Sequence, residues 1–409
     1  MQTYRGTAST FLSPVIGSVT RNVVADEGRN LVLVTDDALG EHPGFGGVIH
    51  AKPPPAHPPL TRSQPTVWSV EGASNLSDGD VVRMEPNGSV VVLYEIGSVD
   101  NSIFLTNRCN ANCGFCPQPR ASEDCFATGE VSELIGLMKR DTEFMGITGG
   151  EPTLARGLLI EALRACRRHL PDARIDLLTN GILLAASDYV RELADVGHAG
   201  LVFEIPLYSD VPSEHDRVMG VQGFAPAVRG IFNLVRYRQK VAIRTVIHSG
   251  NYKRLPRFSE FICRNLPFAF HVALMGLEVI HSARANAGRF WVDPVEYTAE
   301  VEEAVSILHR ADINVSLFNH PLCVLPRSLW QFARASISPW KRLYKNFCDG
   351  CYVRAECGGV FATSGEWQSR FLRPVGDRCE LHQGVVSTHG RLPATSFQIE
   401  PRERQGGGG

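Results

Sequence analysis

Cys109, Cys113 and Cys116 stand within eight residues of one another in the stretch Leu105-Thr106-Asn107-Arg108-Cys109-Asn110-Ala111-Asn112-Cys113-Gly114-Phe115-Cys116-Pro117. Their C-x3-C-x2-C spacing lets three thiolates on one short loop hold three irons of a cubane iron–sulfur cluster. Four thiolates close such a cluster. Three leave one iron with an open coordination site, where a metal acts on a bound molecule. A zinc knuckle or three unrelated core thiols are the competing readings. Zinc sites usually come as two pairs that close a tetrahedron, and no second pair lies near this loop in the sequence. Free cysteines often serve as small buried hydrophobes, but core residues are not bunched in this way.

The chain has eleven cysteines in 409 residues. Most fall in two groups, at 109–116 and at 323–379. In a protein read as cytoplasmic, that usage points to metal or redox chemistry more than to structural disulfides. Cys166 and Cys263 lie in helical patterns and read as core or surface thiols. Cys125 is close to the loop in sequence and is given no ligand role.

The elements that must position the first group begin at Ile103. Strand patterns at Ile103–Thr106, Phe144–Thr148, Ile175–Thr179, Leu201–Leu207, Val241–Ile247 and His271–Leu277 alternate with helices starting near Glu130, Gly157, Ser187, Phe224 and Leu255. Alternating strands and helices indicate parallel βαβ units, and six of them make a partial (β/α)6 TIM-like barrel of the α/β class. Sites in such folds form at the C-terminal ends of the strands. The second strand ends in Thr148-Gly149-Gly150-Glu151-Pro152, where glycines allow close backbone approach to a ligand. The third ends in Thr179-Asn180-Gly181 and the fourth in Tyr208-Ser209-Asp210, both of which ordinary turn chemistry also explains. Arg244 lies within the fifth strand and points either into the lumen or outward into a structural ion pair. His215-Asp216 reads as part of a polar loop. Arg164, Arg167 and Arg168 read as a solvated helix face.

Before the barrel, residues 1–100 read as a small β-rich domain. Leu31–Val34 is a short strand, and Asn87-Gly88 is a hairpin turn between Val81–Met84 and Val90–Leu93. The proline run 53–59, with His57 solvated, reads as an extended surface segment. After the barrel, Asp293-Pro294 opens a long helix and Ile313–Phe318 is a strand. The domain expectation is 1–100, 101–312, 313–386, and a disordered tail over 387–409.

The cysteine loop resembles the signature of the radical S-adenosylmethionine (SAM) enzymes. That resemblance implies a SAM-binding [4Fe-4S] cluster on Cys109, Cys113 and Cys116, with Phe115 as the family's aromatic residue before the third cysteine. It implies that Gly149, Gly150 and Glu151 bind the amino group of SAM. Asn180 stands at a strand end that many members share, and Ser209 is a candidate for the ribose. Arg244, if it points inward, pairs with the SAM carboxylate. The C-x2-C-x5-C run at Cys348, Cys351 and Cys357 is similar to the SPASM or shorter twitch domains that carry auxiliary clusters. Phe361 stands where a two-cluster domain has a further cysteine, so the resemblance implies one auxiliary [4Fe-4S] cluster. Cys323 is its expected fourth ligand, Cys379 is the competitor, and zinc is the alternative metal.

More narrowly, LTNRCNANCGFCPQP, ITGGEPTL, IPLYSD, HVALMGLE and NHPLCVLPRSLW together resemble the HxsC-type radical SAM maturases of the His-Xaa-Ser system. The resemblance covers roughly residues 100 to 370. It implies an enzyme that generates a 5′-deoxyadenosyl radical and modifies a ribosomally made His-Xaa-Ser repeat peptide. Its implied partners are a second radical SAM maturase and an electron donor such as flavodoxin or ferredoxin. The alternatives are a radical SAM enzyme acting on a small molecule or RNA, and a non-catalytic iron–sulfur or zinc scaffold.

Composition bounds these readings. Apolar residues make up 44% and charged residues 21%, with a formal net charge of −2. These values suit a globular chain of two or three domains. The slight acidity argues against a nucleic-acid surface, because phosphate contacts dominate such binding. No stretch has the length of a membrane span, and the start of the chain lacks a signal-peptide core. The expectation is a cytoplasmic protein with no membrane and no nucleic-acid partner.

Overall fold

The computed structural model describes residues 2–22, 30–36, 42–54, 64–118 and 121–376. His57 and most of the proline run, Cys379, and the tail 387–409 lie outside the described residues.

The β-branched runs of the first hundred positions form one mixed sheet. Its strands are β1 (Thr3–Arg5), β2 (Thr7–Ala8), β3 (Val15–Thr20), β4 (Leu31–Thr35), β5 (Gly47–His50), β6 (Thr66–Trp68), β7 (Val81–Met84) and β8 (Ser89–Tyr94). They pair in the order β1-β8-β7-β3-β4-β5-β6-β2. The expected hairpin joins β7 to β8, with Gly88 at φ 84° closing the turn. Alternate residues of these strands, among them Val32, Val34, Ile49, Val67, Val82, Met84 and Val90, bury one apolar core.

The rest of the regular structure alternates strands and helices. In chain order it runs β9 (Ser102–Phe104), α1 (Glu130–Leu137), β10 (Phe144–Thr148), α2 (Arg156–His169), β11 (Arg174–Leu178), α3 (Ser187–Asp195), β12 (Leu201–Pro206), α4 (Pro212–Met219) and α5 (Phe224–Arg236). It continues with β13 (Lys240–Val246), α6 (Leu255–Asn265), β14 (His271–Met275), α7 (Ser282–Ala285), α8 (Ala287–Phe290), α9 (Thr298–Arg310), β15 (Val315–Phe318) and β16 (Ala333–Arg334). The strands form a second sheet in the order β16-β15-β14-β13-β12-β11-β10-β9. Its registered neighbours run parallel. A parallel sheet whose successive strands are joined by helices is the α/β, partial TIM-like barrel expected from the alternating pattern. β15 and β16 continue it beyond the six expected strands. Asp293 caps the turn before α9 by accepting from the Val295 amide at 3.2 Å.

Contact density divides the chain into two compact units. One is Met1–Cys109, Arg120–Thr179 and Arg191–Val202, and the other is Asn110–Pro119, Asn180–Val190 and Phe203–Gly409. In the first unit, Arg83 of β7 donates to the Cys125 carbonyl at 2.8 Å and lies 3.4 Å from Glu130 at the start of α1. Among the described residues no single helix is long and apolar enough to cross a membrane.

One local expectation is corrected. His215-Asp216 is not in a loop but on α4, and His215 is fully buried. Pro212 presets the first turn and Gly220, at φ 67°, ends the helix. Asp216 then accepts from the Gly223 and Phe224 amides at 2.9 and 2.8 Å, capping α5. The polar run Ser213 to Arg217 hid this short helix from a hydrophobic-period reading.

Burial has a consequence for acid stability. It lowers His215, His248 and His320 to about 4. In the unfolded chain a histidine titrates near 6.5. Between those values the unfolded chain binds protons that the folded chain does not, so falling pH favours unfolding. The urea midpoint, measured anaerobically, is therefore expected to be level above about pH 7 and to fall steadily from about 6.5 toward 4. A midpoint that stays level to pH 5 would remove the three histidines as a group.

Candidate functional site

In the first compact unit, the base of the cysteine loop is fixed by the ends of β9 and β10. Leu105 donates its amide to the Thr148 carbonyl at 2.9 Å. Gly150 and Glu151 donate theirs to the Thr106 and Arg108 carbonyls at 2.7 and 2.8 Å. Arg108, just before Cys109, forks onto Asp124 with two 2.9 Å bonds. Gly149 and Gly150 are required here by space. A Cβ on Gly149 would lie 2.6 Å from the Thr106 carbonyl oxygen, and one on Gly150 would lie 2.7 Å from that of Asn107. Gly150→Ala is accordingly expected to displace the loop before Cys109. Iron bound after anaerobic reconstitution should drop by about half while the far-ultraviolet circular dichroism is kept. Unchanged iron would show that the loop tolerates the shift.

Glu151 is 1% exposed. Its Oε1 accepts from the Thr153 amide at 3.0 Å, the Thr153 hydroxyl at 2.5 Å and the Thr179 hydroxyl at 2.6 Å. Burying a carboxylate is costly unless donors surround it. These bonds brace the ends of β10 and β11 against one another. Sequence reasoning did not single out Thr153, and it placed Thr179 at a strand end without giving its hydroxyl a role. Their signal was a hydroxyl two residues after the glutamate and one at the next strand end.

In the second unit, Cys113 and Cys116 continue the loop. Asn112 and Gly114 donate their amides to the carbonyls of Met219 and Val218 at 2.8 and 3.0 Å. Gly220, already left-handed, is also where a Cβ would lie 2.6 Å from the Asn112 carbonyl oxygen. Asn286 donates to the Gly114 carbonyl at 2.9 Å. Phe115 is 5% exposed, and its ring meets Tyr208 and Phe290 edge-on at 5.2 and 5.3 Å between centroids. None of the three cysteines is in a disulfide.

The remaining predicted residues fall around this apolar cluster. Asn180 donates to the Asn110 side chain at 2.7 Å, so it holds the cysteine loop itself. Ser209 is buried and accepts from the Val211 amide at 3.1 Å. Arg244 is two residues before Val246, which packs against the apolar cluster that contains Phe115 and Tyr208. Residues two apart on a strand share a face, so Arg244 is on the side that carries the cysteine loop. It lies 3.9 Å from buried Glu204 and 3.4 Å from the Met275 sulfur.

Sequence reasoning missed His248, directly after β13. Its Nδ1 accepts from the Gly250 amide at 3.0 Å, which leaves the proton on Nε2. Nε2 is buried and has no hydrogen-bond partner among the described residues. The ring is 5.7 Å from Phe115 and 5.5 Å from Phe290. Asn251 locks the turn by accepting from the His248 amide and donating to the Tyr208 and Val246 carbonyls. A fixed, buried donor without an acceptor fits a bound group that brings one. No sequence motif marked it.

The second cysteine group also converges. Cys323, Cys348, Cys351 and Cys357 line one cavity. Among the described residues no three or more His, Cys, Asp or Glu side chains are grouped tightly enough to hold a single ion. Backbone amides reach the sulfurs: Leu322 and Gly359 donate to Cys357 at 3.4 Å, and Val375 donates to Cys351 at 3.3 Å. Burial pushes the Cys323 and Cys357 thiols up, and backbone amides partly offset it. The segment is tied to the end of β14 through Glu278, which accepts from Lys341 at 2.9 Å and Thr363 at 2.7 Å. Two strands, β17 (Arg342–Leu343) and β18 (Val360–Phe361), pair beside the cavity.

Residues 103–262 match the sequence family described as the radical SAM superfamily. This segment is a radical SAM domain. A GTP 3′,8-cyclase of Mycobacterium marinum is 30% identical over 145 residues, which span 33% of this chain and 39% of that protein. A 7-carboxy-7-deazaguanine synthase of Rhodopirellula baltica is 24% identical over 216 residues, spanning 49% and 74%. The first of these alignments thus covers less than half of its relative's length. Among solved structures, Streptococcus suis SuiB bound to its precursor peptide SuiA superposes with a TM-score of 0.46 at 16% identity, covering 56% of this chain and 49% of that one. Proteins of the radical SAM family bind a [4Fe-4S] cluster and SAM. In the first unit Cys109 and the glycine cradle offer a thiol and a close backbone approach. In the second, Cys113, Cys116 and the unsatisfied His248 donor offer two thiols and a hydrogen-bond donor. These donor types suit those groups.

Proposed function

We propose that this chain is a radical SAM enzyme that modifies a ribosomally made peptide of the His-Xaa-Ser repeat type. The observation that carries the radical chemistry is the three-thiol loop braced by Gly149–Glu151 within the matched domain. A reduced cluster and bound SAM supply a 5′-deoxyadenosyl radical that removes a hydrogen atom from the substrate. The protein's own residues orient and shield those groups. Cys109, Cys113 and Cys116 hold the cluster. Gly149, Gly150 and Glu151 receive the SAM amino group, and the Thr153 and Thr179 hydroxyls hold the Glu151 carboxylate in place. Arg244 faces the SAM carboxylate, Ser209 lies toward the ribose, and His248 Nε2–H donates to an acceptor on the bound molecule beside Phe115.

The four-thiol cavity holds one auxiliary [4Fe-4S] cluster, with Cys323 as the fourth ligand. The preference for a cluster over zinc rests on the resemblance of the Cys348, Cys351 and Cys357 spacing to auxiliary-cluster domains. Domain boundaries at 100 and 312, a cytoplasmic location, a second radical SAM maturase partner and a flavodoxin or ferredoxin donor complete the reading. The peptide substrate rests on the HxsC-type resemblance of the motifs. A nucleotide substrate is the second reading, because the matched domain is similar to GTP 3′,8-cyclases. Mass spectrometry of the repeat peptide after co-expression tests the first. A peptide of unchanged mass, together with a new product from GTP, would replace it with the second.

A further inference from the structure

We propose that the rim of the four-thiol cavity is the docking face for an acidic one-electron carrier protein. The proposal rests on the cluster reading of that cavity. Leu343 and Phe347 line the cavity and remain 36% and 43% exposed. An apolar pair open to solvent beside four thiols is an unusual place to leave hydrophobic surface. Lys345, Arg354 and Arg373 line the same cavity. Across residues 333–376 there are seven Arg or Lys against three Asp or Glu, although the whole chain is at −2.

Arg354 is paired with Asp349 at 3.2 Å, which leaves Lys345 and Arg373 as the cations that flank the apolar pair. A small apolar centre with a net positive border suits a transient redox encounter, which needs little area and relies on steering. The chemistry of the ligands favours an electron carrier over a substrate. Four thiolates complete the coordination of a cubane, so no open iron remains there to bind a substrate atom. In each encounter one electron leaves the carrier, which is oxidised by one equivalent, and one enters the four-thiolate site, which is reduced by one. No bond is made or broken.

The test uses full-length, anaerobically reconstituted protein and fluorescently labelled flavodoxin. Binding should weaken about tenfold in Lys345→Glu and in Arg373→Glu, and should fall steeply with salt. Phe347→Ser, compared per bound iron, should slow reduction of the protein by reduced flavodoxin about tenfold more than it slows reduction by dithionite. Equal binding and equal flavodoxin-driven reduction in all three variants would overturn the proposal. So would displacement of flavodoxin by excess repeat peptide, which would make the rim a substrate groove. SAM cleavage driven by dithionite is read in parallel. Its loss in the unmodified protein would count against the radical SAM reading, not against the docking face.

Discussion

Cys109→Ala is expected to abolish 5′-deoxyadenosine formation from SAM under strong reductant, a loss of roughly 1000-fold or more, about 4 kcal/mol in barrier. Iron after reconstitution should fall by about four per chain, the content of one cubane. The physical case lies in how independent the thiol is of the scaffold. Cys109 is exposed, so truncating it removes no core packing. The loop before it stays pinned by the Thr106 and Arg108 carbonyls and by the Arg108 fork on Asp124. The expected defect is therefore in metal binding, with the thermal midpoint of the iron-free protein unchanged. Cys125→Ala is the matched control. Its sulfur also lies at the loop, accepting from the Asn107 side chain at 3.5 Å, yet burial pushes that thiol up and it has no assigned role. It should keep both iron and cleavage. Equal loss in the two variants would mean that the assay reports loop damage and not a ligand.

Elements fixed by periodicity and punctuation were legible in the sequence. Phe144–Thr148 is a strand with the predicted bounds, and α1, α3, α5 and α6 begin at Glu130, Ser187, Phe224 and Leu255, the expected starts. Their apolar spacing is continuous and their ends carry glycine, proline or polar caps. α4 escaped because its buried face is mostly His215, Val218 and Met219 within a polar run, and a buried histidine looks polar in any pattern. β16 escaped because two residues cannot show alternation.

At the site, motif residues were legible as a list, but their mechanical roles were not. Glu151 reads as a ligand from its glycine neighbours, and the sequence does not show that the Thr153 and Thr179 hydroxyls hold its Oε1 in place. The Thr179 bond spans 28 residues, a pairing that only strand order creates. Asn180 reads as a cofactor contact, and its bond to Asn110 of the cysteine loop is not legible in the sequence. His248 carries no motif at all. Its significance lies in an unsatisfied buried nitrogen, which is a property of packing and not of spacing.

Cys348→Ala separates the two thiol sites. Iron should fall from about eight to about four per chain, SAM cleavage under dithionite should stay within about threefold of the unmodified protein, and modified peptide should become undetectable. The two sites are tied differently, and this predicts the split. The first loop is held by β10, α4 and Asn286. The second cavity hangs from β14 through the Glu278 bonds to Lys341 and Thr363. Removing one sulfur from the second leaves those bonds intact. Cys323→Ala should give the same split, because Cys323 lines the same cavity. A site whose fourth ligand is Cys379 would instead keep its iron in Cys323→Ala and lose it in Cys379→Ala. If the unmodified protein binds about four irons and one zinc, the cavity is a zinc site and the electron-carrying role assigned to its rim falls with it. Full product formation by Cys348→Ala at half the iron would leave the cavity structural, and the peptide chemistry would then need only the three-thiol loop.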